Sequence, residues 1–557
     1  MTQPHPYNDA EAKPSLIAKS LEKSLEKKHD NQAALEPDEK SALSTKSTNK
    51  PLNEAIFSAE GELTNERGAQ FINNNQAPRQ HEEDALCAKS HTQALNEAIF
   101  SAEGELTNER GAQFINNNRA PRQHEEDALC AKSAHLKWLW EQQPKGFNFD
   151  LATLKEFIIE QCLIPEPQTE VLQVVGTNGK GSTSLILESL ALQLPNKKIG
   201  VFTSPHLVHF NERIRINGKM ISDTSLINAL KQIHTWHDSW VQSGNRGLTF
   251  FELSFASALF CFKQSGCDIL ILEAGLGGRL DATSAIPVTI GAVTSIGLDH
   301  MDYLGDNLSS IASEKAAIAR PPMRCLCIGI NAQQPIVLQS IKDTVDGITP
   351  IALSKLSDLN QLTIDNLPAI LKPQHQQENA ALALLVAKKL EWKLNTNLIK
   401  KAWDALRLPA RFQLVELPHQ PEFTLIVDGS HNPQAIESLL NTWKLHYPKI
   451  KPTLILGFAE DKLIRDVIQI LAPISSAIIL TPLHSPRSWN PESYKSIILD
   501  VKEVKQNETQ VSVVPTCKEA INLAYAIGSP TLLAGSLFLV GECLAIVENT
   551  KHLSSSQ

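Results

Sequence analysis

The chain has 557 residues, enough for more than two domains at roughly 150 residues each, and its 42% apolar and 6% aromatic content suits a globular protein with ample core. A formal charge of −9 gives no electrostatic reason to expect nucleic acid or an anionic membrane as a partner, and neither is expected. The nine cysteines are scattered and fit the reduced thiols of the cytoplasm, where the protein is placed on this reading.

In chain order, the opening residues carry no basic segment followed by an apolar one, so no secretory signal is read there. Residues 52–90 recur almost unchanged at 95–133, with Gln76 replaced by Arg119. The period of 43 falls in the solenoid range, but two near-identical copies are too few for a solenoid and look like a tandem duplication. Residues 1–133 are therefore expected to form a largely disordered tail.

From residue 134 onward strand and helix signals alternate. "VLQVVGT", "KIGVFTS", "DILILEAG" and "TIGAVTSIG" read as short strands, with "STSLILESLALQL" and "FFELSFASALFCF" as helices between them. "CLCIGI" reads as a strand with Cys325 and Cys327 on one buried face, better suited to packing than to metal. The proline-dotted stretch "LRLPARFQLVELPHQPE" reads as a linker. A second α/β set follows, from "FTLIVDGSHNPQAIESLLNTW" through "KPTLILGFAED" and "SAIILTP" to "TLLAGSLFLVGECL". That last run is too interrupted to span a bilayer. The expected fold class is α/β, a mostly parallel sheet in the central domain and a second α/β domain after the linker. The boundaries are 134–405 for the central domain, 406–421 for the linker, 422–549 for the C-terminal domain and 550–557 for a short tail.

In open parallel sheets, ligands bind beyond the carboxyl ends of the strands, so the polar residues standing there are the candidates. The first strand runs into "GTNGKGST" and then a helix. Gly176, Gly179 and Gly181 let backbone N–H groups approach phosphate oxygens at a helix N-terminus, Thr177 and Asn178 complete the loop, and Lys180 supplies positive charge. Ser182 or Thr183 offers a hydroxyl to phosphate or metal. The lysine is followed by glycine, where the common phosphate loop has a hydroxyl residue at once. The second strand ends at Thr203 and Ser204 and leads into a loop with Arg213 and Arg215, which taken alone reads as a turn with a solvated face. The third ends in Glu273 before a glycine-rich loop, where a carboxylate beside bound phosphate holds Mg²⁺. The fourth brings Asp299 and His300, with Lys315 one helix later.

These blocks in this order resemble the Mur ligase superfamily, whose phosphate loop reads G-T-N-G-K-G-[ST] and which couples ATP cleavage to amide-bond formation. "FTSPHLVHFNERIRING", "LEAGLGGRLDAT", "IGLDHMDYLG", "SEKAAIAR", "LPARFQ" and "DGSHNPQA" bring the resemblance to its dihydrofolate synthase/folylpolyglutamate synthase branch, over roughly residues 134–549. The resemblance implies a phosphate-loop ATPase domain joined to a smaller Rossmann-like domain. The activity implied is ATP-dependent addition of L-glutamate to dihydropteroate and, as a γ-linked chain, to tetrahydrofolate. By the same resemblance Ser204, Glu273 and His300 match Mg²⁺ ligands and Lys180 the triphosphate site. Lys315 matches a lysine that, when carbamylated, helps hold a second Mg²⁺; a monovalent cation is a further implied cofactor. Arg411 and Asp428 match ATP-side residues of the linker and second domain, His431 lines the cleft, and Phe251, Asp281 and Ala282 fall where the pterin end sits. A monomer is implied. One departure is Ala410, where the branch commonly has glycine before the arginine; a positive φ there would strain it. A related ligase for a cell-wall precursor and a non-catalytic nucleotide switch are the alternative readings.

Overall fold

The computed structural model describes residues 132–142, 150–353, 367–417, 420–460, 462–485 and 487–550. The duplicated segment lies outside the described residues, apart from its last two positions, which open a helix at 132–141.

The central domain is built on an eight-stranded sheet of order β4-β3-β2-β5-β1-β6-β7-β8. In chain order its strands are β1 Glu170–Val175, β2 Ile199–Phe202, β3 Ile214–Ile216, β4 Lys219–Met220, β5 Ile269–Glu273, β6 Ile290–Val293, β7 Cys325–Ile328 and β8 Pro350–Ala352. Six strands run parallel, and β3 and β4 add an antiparallel hairpin at one edge. β1, β5 and β6 are almost continuously apolar because helices cover both faces of the sheet. One face packs under the helices Asp223–Gln242 and Phe250–Ser265, the other under Lys180–Ala191, Gln374–Lys389 and Thr396–Ala405.

Local chemistry sets the ends of these helices. Thr249 and Glu252 form a capping box at the start of Phe250–Ser265, and Gly266, left-handed, stops it. Asn432 caps Pro433–His446 with proline at its first position. As the alternation predicts, Cys325 and Cys327 are both buried on β7, with their Sγ atoms 3.8 Å apart.

The C-terminal domain carries a six-stranded sheet of order β13-β12-β11-β14-β10-β9, from β9 Gln413–Leu417, β10 Gln420–Val427, β11 Thr453–Leu456, β12 Ala477–Leu480, β13 Gln510–Val513 and β14 Thr531–Ala534. All pairs are parallel except β9 with β10. The stretch read as linker is thus partly sheet: its Gln413–Leu417 portion is an edge strand, where neighbouring prolines are tolerated.

The two domains meet along a seam. Leu207 and Val208, from the loop that follows Ser204, pack into the apolar cluster of the C-terminal domain with Ala410, Val415 and Leu539. His209 of the same loop lies 3.4 Å from Glu548.

Candidate active site

The loop after β1 turns through Gly176 (φ 150°) and Gly179 (φ 86°) into the helix Lys180–Ala191. Both positions exclude a side chain. A Cβ at Gly176 would stand 1.9 Å from Thr294 Oγ1, and one at Gly179 2.5 Å from Asn379 Oδ1. The loop is fixed from the neighbouring strand end, where Ser295 Oγ accepts from Asn178 N–H at 2.9 Å and Thr294 Oγ1 donates to Asn178 O at 2.6 Å. Thr177 Oγ1 donates to Gly297 O and accepts from Gly297 N–H.

Two lysines converge here. Lys180 Nζ donates to Gly176 O at 3.0 Å and to Thr177 O at 3.2 Å, and Lys315 Nζ donates to the same Gly176 O at 3.1 Å. Lys315 is buried, and its amine is pushed down to about 7, first by loss of hydration and then by the Lys180 charge. Near neutral pH that amine is substantially unprotonated, the form able to take up CO₂ as a carbamate. Thr183 Oγ1 is buried at the loop with no hydrogen-bond partner, and Ser182 Oγ accepts from Gln376 Nε2 at 3.4 Å.

Glu273, at the end of β5, lies against this loop, its Oε1 3.4 Å from where a Cβ on Gly181 would be. Oε2 accepts from Ser204 N–H at 3.1 Å. Burial raises the carboxyl's pKa, opposed first by the Lys180 charge, then by the Ser204 N–H bond, Arg411 and Arg213. His300 sits in the left-handed region (φ 52°) at the start of the short helix Met301–Leu304. Its imidazole is pushed down to about 4, chiefly by burial, and Lys180 is among the charges acting on it. A neutral imidazole keeps a lone pair for a metal. Lys180 is thus among the charges acting on Glu273, His300 and Lys315 alike.

Among the described residues no three His, Cys, Asp or Glu side chains form a metal site by themselves. The donors present are one carboxylate, one imidazole and hydroxyls, a set that suits a hard divalent cation whose remaining ligands are water and phosphate. The unpartnered Thr183 hydroxyl fits the same arrangement.

Beyond Glu273, the Phe251 ring lies over Gly275, where a Cβ would stand 2.6 Å from its Cζ, and near Phe202 at 5.7 Å between centroids. Asp281 directs both oxygens inward: Oδ2 accepts from Gly275 and Leu276 N–H, and Oδ1 from Thr283 N–H and Oγ1. Its carboxylate thus shapes the glycine-rich loop, with buried Ala282 following it. Gln173 on β1 ties that loop to the sheet through Thr283 and Ser284 at 2.8 Å each.

From the C-terminal domain, Asp428 accepts from Phe412 N–H at 2.8 Å and from Ser430 N–H and Oγ, so it pins the linker. Arg411 donates to Ala410 O, and its Nη1 lies over Gly429, 2.8 Å from a Cβ built there. Ala410 does take φ 55°, and Phe412 φ 46°, so the arginine stands between two left-handed residues. His431 holds Gly429 O at 2.8 Å through Nδ1, and its Nε2 is 3.6 Å from Asp299.

The sequence reading missed several participants. Gln376 and Asn379 open the helix Gln374–Lys389, are buried, and reach Ser182 and Gly179. The signal available was a polar run, "QHQQEN", leading an alanine- and leucine-rich helix. Lys462 crosses to Asp299 at 3.0 Å. Arg213 does not face solvent: it is fully buried, donates from Nε to His206 Nδ1 at 2.8 Å, and lies 5.5 and 5.3 Å from the Phe210 and Phe250 ring centroids.

Comparison with known proteins places the chain among Mur ligases. Residues 174–366 match the family model of the Mur ligase middle domain and residues 410–537 that of the Mur ligase glutamate ligase domain. The chain is 34% identical over 337 residues to the dihydrofolate synthase/folylpolyglutamate synthase of Escherichia coli K12, across 59% of this chain and 76% of the relative. A solved structure of E. coli FolC in complex with DHPP and ADP superposes with a TM-score of 0.64 at 28% identity, covering 75% of this chain and 98% of the other. The bifunctional enzyme from Yersinia pestis complexed with AMPPNP and Mn ion gives 0.63 at 28% identity, with the same coverage.

Proposed function

The chain belongs to the dihydrofolate synthase/folylpolyglutamate synthase family of Mur ligases, and from that premise we propose how it works as an ATP-dependent carbon–nitrogen ligase that joins L-glutamate to folates. The acceptors are dihydropteroate, giving dihydrofolate, and tetrahydrofolate, giving a γ-linked glutamate chain. The observation that carries the reading is the convergence of Lys180, Lys315 and Glu273 on the loop Gly176–Gly181, with His300 in reach of the same charge.

A free carboxylate is a poor electrophile and has no usable leaving group. Its oxygen therefore attacks the γ-phosphorus of ATP, the bond to the β–γ bridging oxygen breaks, and ADP leaves an acyl phosphate. The glutamate amine attacks the acyl carbon, loses a proton and expels inorganic phosphate. Loop N–H groups and Lys180 hold the transferring phosphoryl group by position and charge. Ser204, Glu273 and His300 would hold Mg²⁺, which neutralises phosphate charge during transfer. Lys315, as its carbamate, would supply a second carboxylate for another Mg²⁺, and a monovalent cation completes the set. Phe251 and Ala282 receive the pterin end, while Asp281 keeps that loop in shape. Arg411, held by the Asp428-pinned linker, and His431 face the nucleotide and incoming amino acid from the C-terminal domain.

The domain plan that supports this is 134–405 for ATP, 406–421 for the linker and 422–549 for glutamate ligation. No described helix is long and apolar enough to cross a membrane, and we place the protein in the cytoplasm as a monomer. The test is ADP release measured with each pterin acceptor in turn. Release that requires both acceptor and L-glutamate, and falls by at least about 10³-fold in Lys180→Ala, is expected. Near-normal turnover in that variant would remove the loop from the mechanism.

A further inference from the structure

Asp299 is where the two domains meet at one carboxylate. Its Oδ1 accepts from Lys462 Nζ at 3.0 Å and from His300 N–H at 3.0 Å, and its Oδ2 accepts from Asn432 Nδ2 at 3.2 Å with His431 Nε2 at 3.6 Å. Three of these four groups come from the C-terminal domain; the fourth is the backbone of the candidate metal ligand. Side-chain exposure is 8% for Lys462 and 10% for Asp299, so the pair is shielded from the solvent screening that makes surface pairs weak. His300 has a left-handed backbone, which a non-glycine residue keeps only where its surroundings impose it. The Asp299 oxygen that accepts from His300 N–H is the one that Lys462 also holds. The same C-terminal segment reaches the phosphate loop, where Asn178 Nδ2 donates to Asn432 Oδ1 at 3.2 Å and Gln434 Oε1 at 2.9 Å.

We propose that Lys462 is a positioning residue for the ligation: through Asp299 it transmits closure of the C-terminal domain to His300, so that the metal is held in its reactive place only when that domain is shut. This rests on the ligase reading above. It explains why a lysine outside the phosphate loop is buried against the residue preceding a metal ligand. It also keeps ATP from being committed before the C-terminal domain is in place, since the Asp299 carboxylate that accepts from His300 N–H is itself held across the seam by Lys462.

The experiment measures Mn²⁺ affinity by electron paramagnetic resonance in the presence of a non-hydrolysable ATP analogue, together with kcat and the KM for L-glutamate, on the full chain. Lys462→Met is expected to weaken Mn²⁺ about 10-fold and to lower kcat by a similar factor, as removal of an outer support of a metal ligand does. The KM for glutamate should stay within about twofold, and Lys462→Arg should recover part of both losses. Mn²⁺ affinity unchanged in Lys462→Met, with only the KM for glutamate raised, would overturn the proposal and give the lysine to the amino acid. Should Lys462→Met not fold, Lys462→Gln removes the same charge with a polar side chain, leaves Asp299 and its bond to His300 in place, and carries the same two outcomes. Absence of Mn²⁺–nucleotide binding in the unaltered chain would instead count against the ligase reading itself.

Discussion

Lys315 shows what one buried side chain can decide. Its amine has an ordinary value of 10.5 and is pushed down to about 7. Between those values the unfolded chain binds a proton that the folded chain does not, so stability rises with pH across the window and is lowest below pH 7. Lys315→Met removes this cost. In bicarbonate-free buffer the variant should exceed the unaltered chain in thermal stability at pH 6, by on the order of a few kcal/mol, and the gap should shrink toward pH 10. A constant gap would mean the amine is not desolvated. Glu273 and Lys180 stood out in the sequence only together, one at the end of an apolar strand and the other in the glycine loop after its neighbour; taken singly, Glu273 could equally have been an ion-pair partner. Lys462 was not: it lies in "FAEDKLIRD", a stretch with several charges, and no local pattern tells which one crosses the cleft. Arg213 was read as part of a solvated turn because three-dimensional burial between Phe210 and Phe250 leaves no trace in its own neighbourhood.

Loops and strand ends set the tolerance of the site to change. In Gly176→Ala the new methyl would meet Thr294 Oγ1, which is held in place by donating to Asn178 O with Val175 O also 3.2 Å away. Nucleotide binding, followed by the rise in melting temperature that a saturating ligand gives, should be lost; at 100 times Kd that rise corresponds to about 2.7 kcal/mol in the unaltered chain. The linker is a second case. Ala410 already occupies φ 55° and is fully buried, so Ala410→Val adds a branched Cβ where only small residues are at ease. We expect a loss of about 2 kcal/mol or more and a drop in kcat as Arg411 swings from Gly429. Ala410→Gly should be close to neutral, because relief of strain offsets the lost methyl; an equal loss in both would show that packing, not backbone, governs the position. Strands β1, β2, β5, β6, β10, β11, β12 and β14 were legible because parallel strands buried on both faces are short apolar runs. β9 was not, because an edge strand among prolines lacks that run and reveals itself only by pairing with β10.

For the whole molecule, two mostly parallel sheets present their carboxyl ends to each other, and the linker, seam loop and Asp299 cluster hold those ends together. Domain order was plain in the alternation of strands and helices, whereas the seam was not, since Leu207 and Val208 look like ordinary loop apolar residues until they enter the other domain's core. The arrangement predicts that nucleotide with metal stabilises both domains together, giving one thermal transition in place of any two seen without ligand, and that Lys180→Ala abolishes the merging.

The most direct measurement is anomalous diffraction from Mn²⁺ in crystals grown with a non-hydrolysable ATP analogue. The account predicts a peak at about 2.2 Å from oxygens of the nucleotide and of Glu273, with Ser204 and His300 completing the shell and Lys180 on the terminal phosphate. A nucleotide bound away from residues 176–183, or a metal lying beyond about 4 Å from both Glu273 and His300, would contradict it.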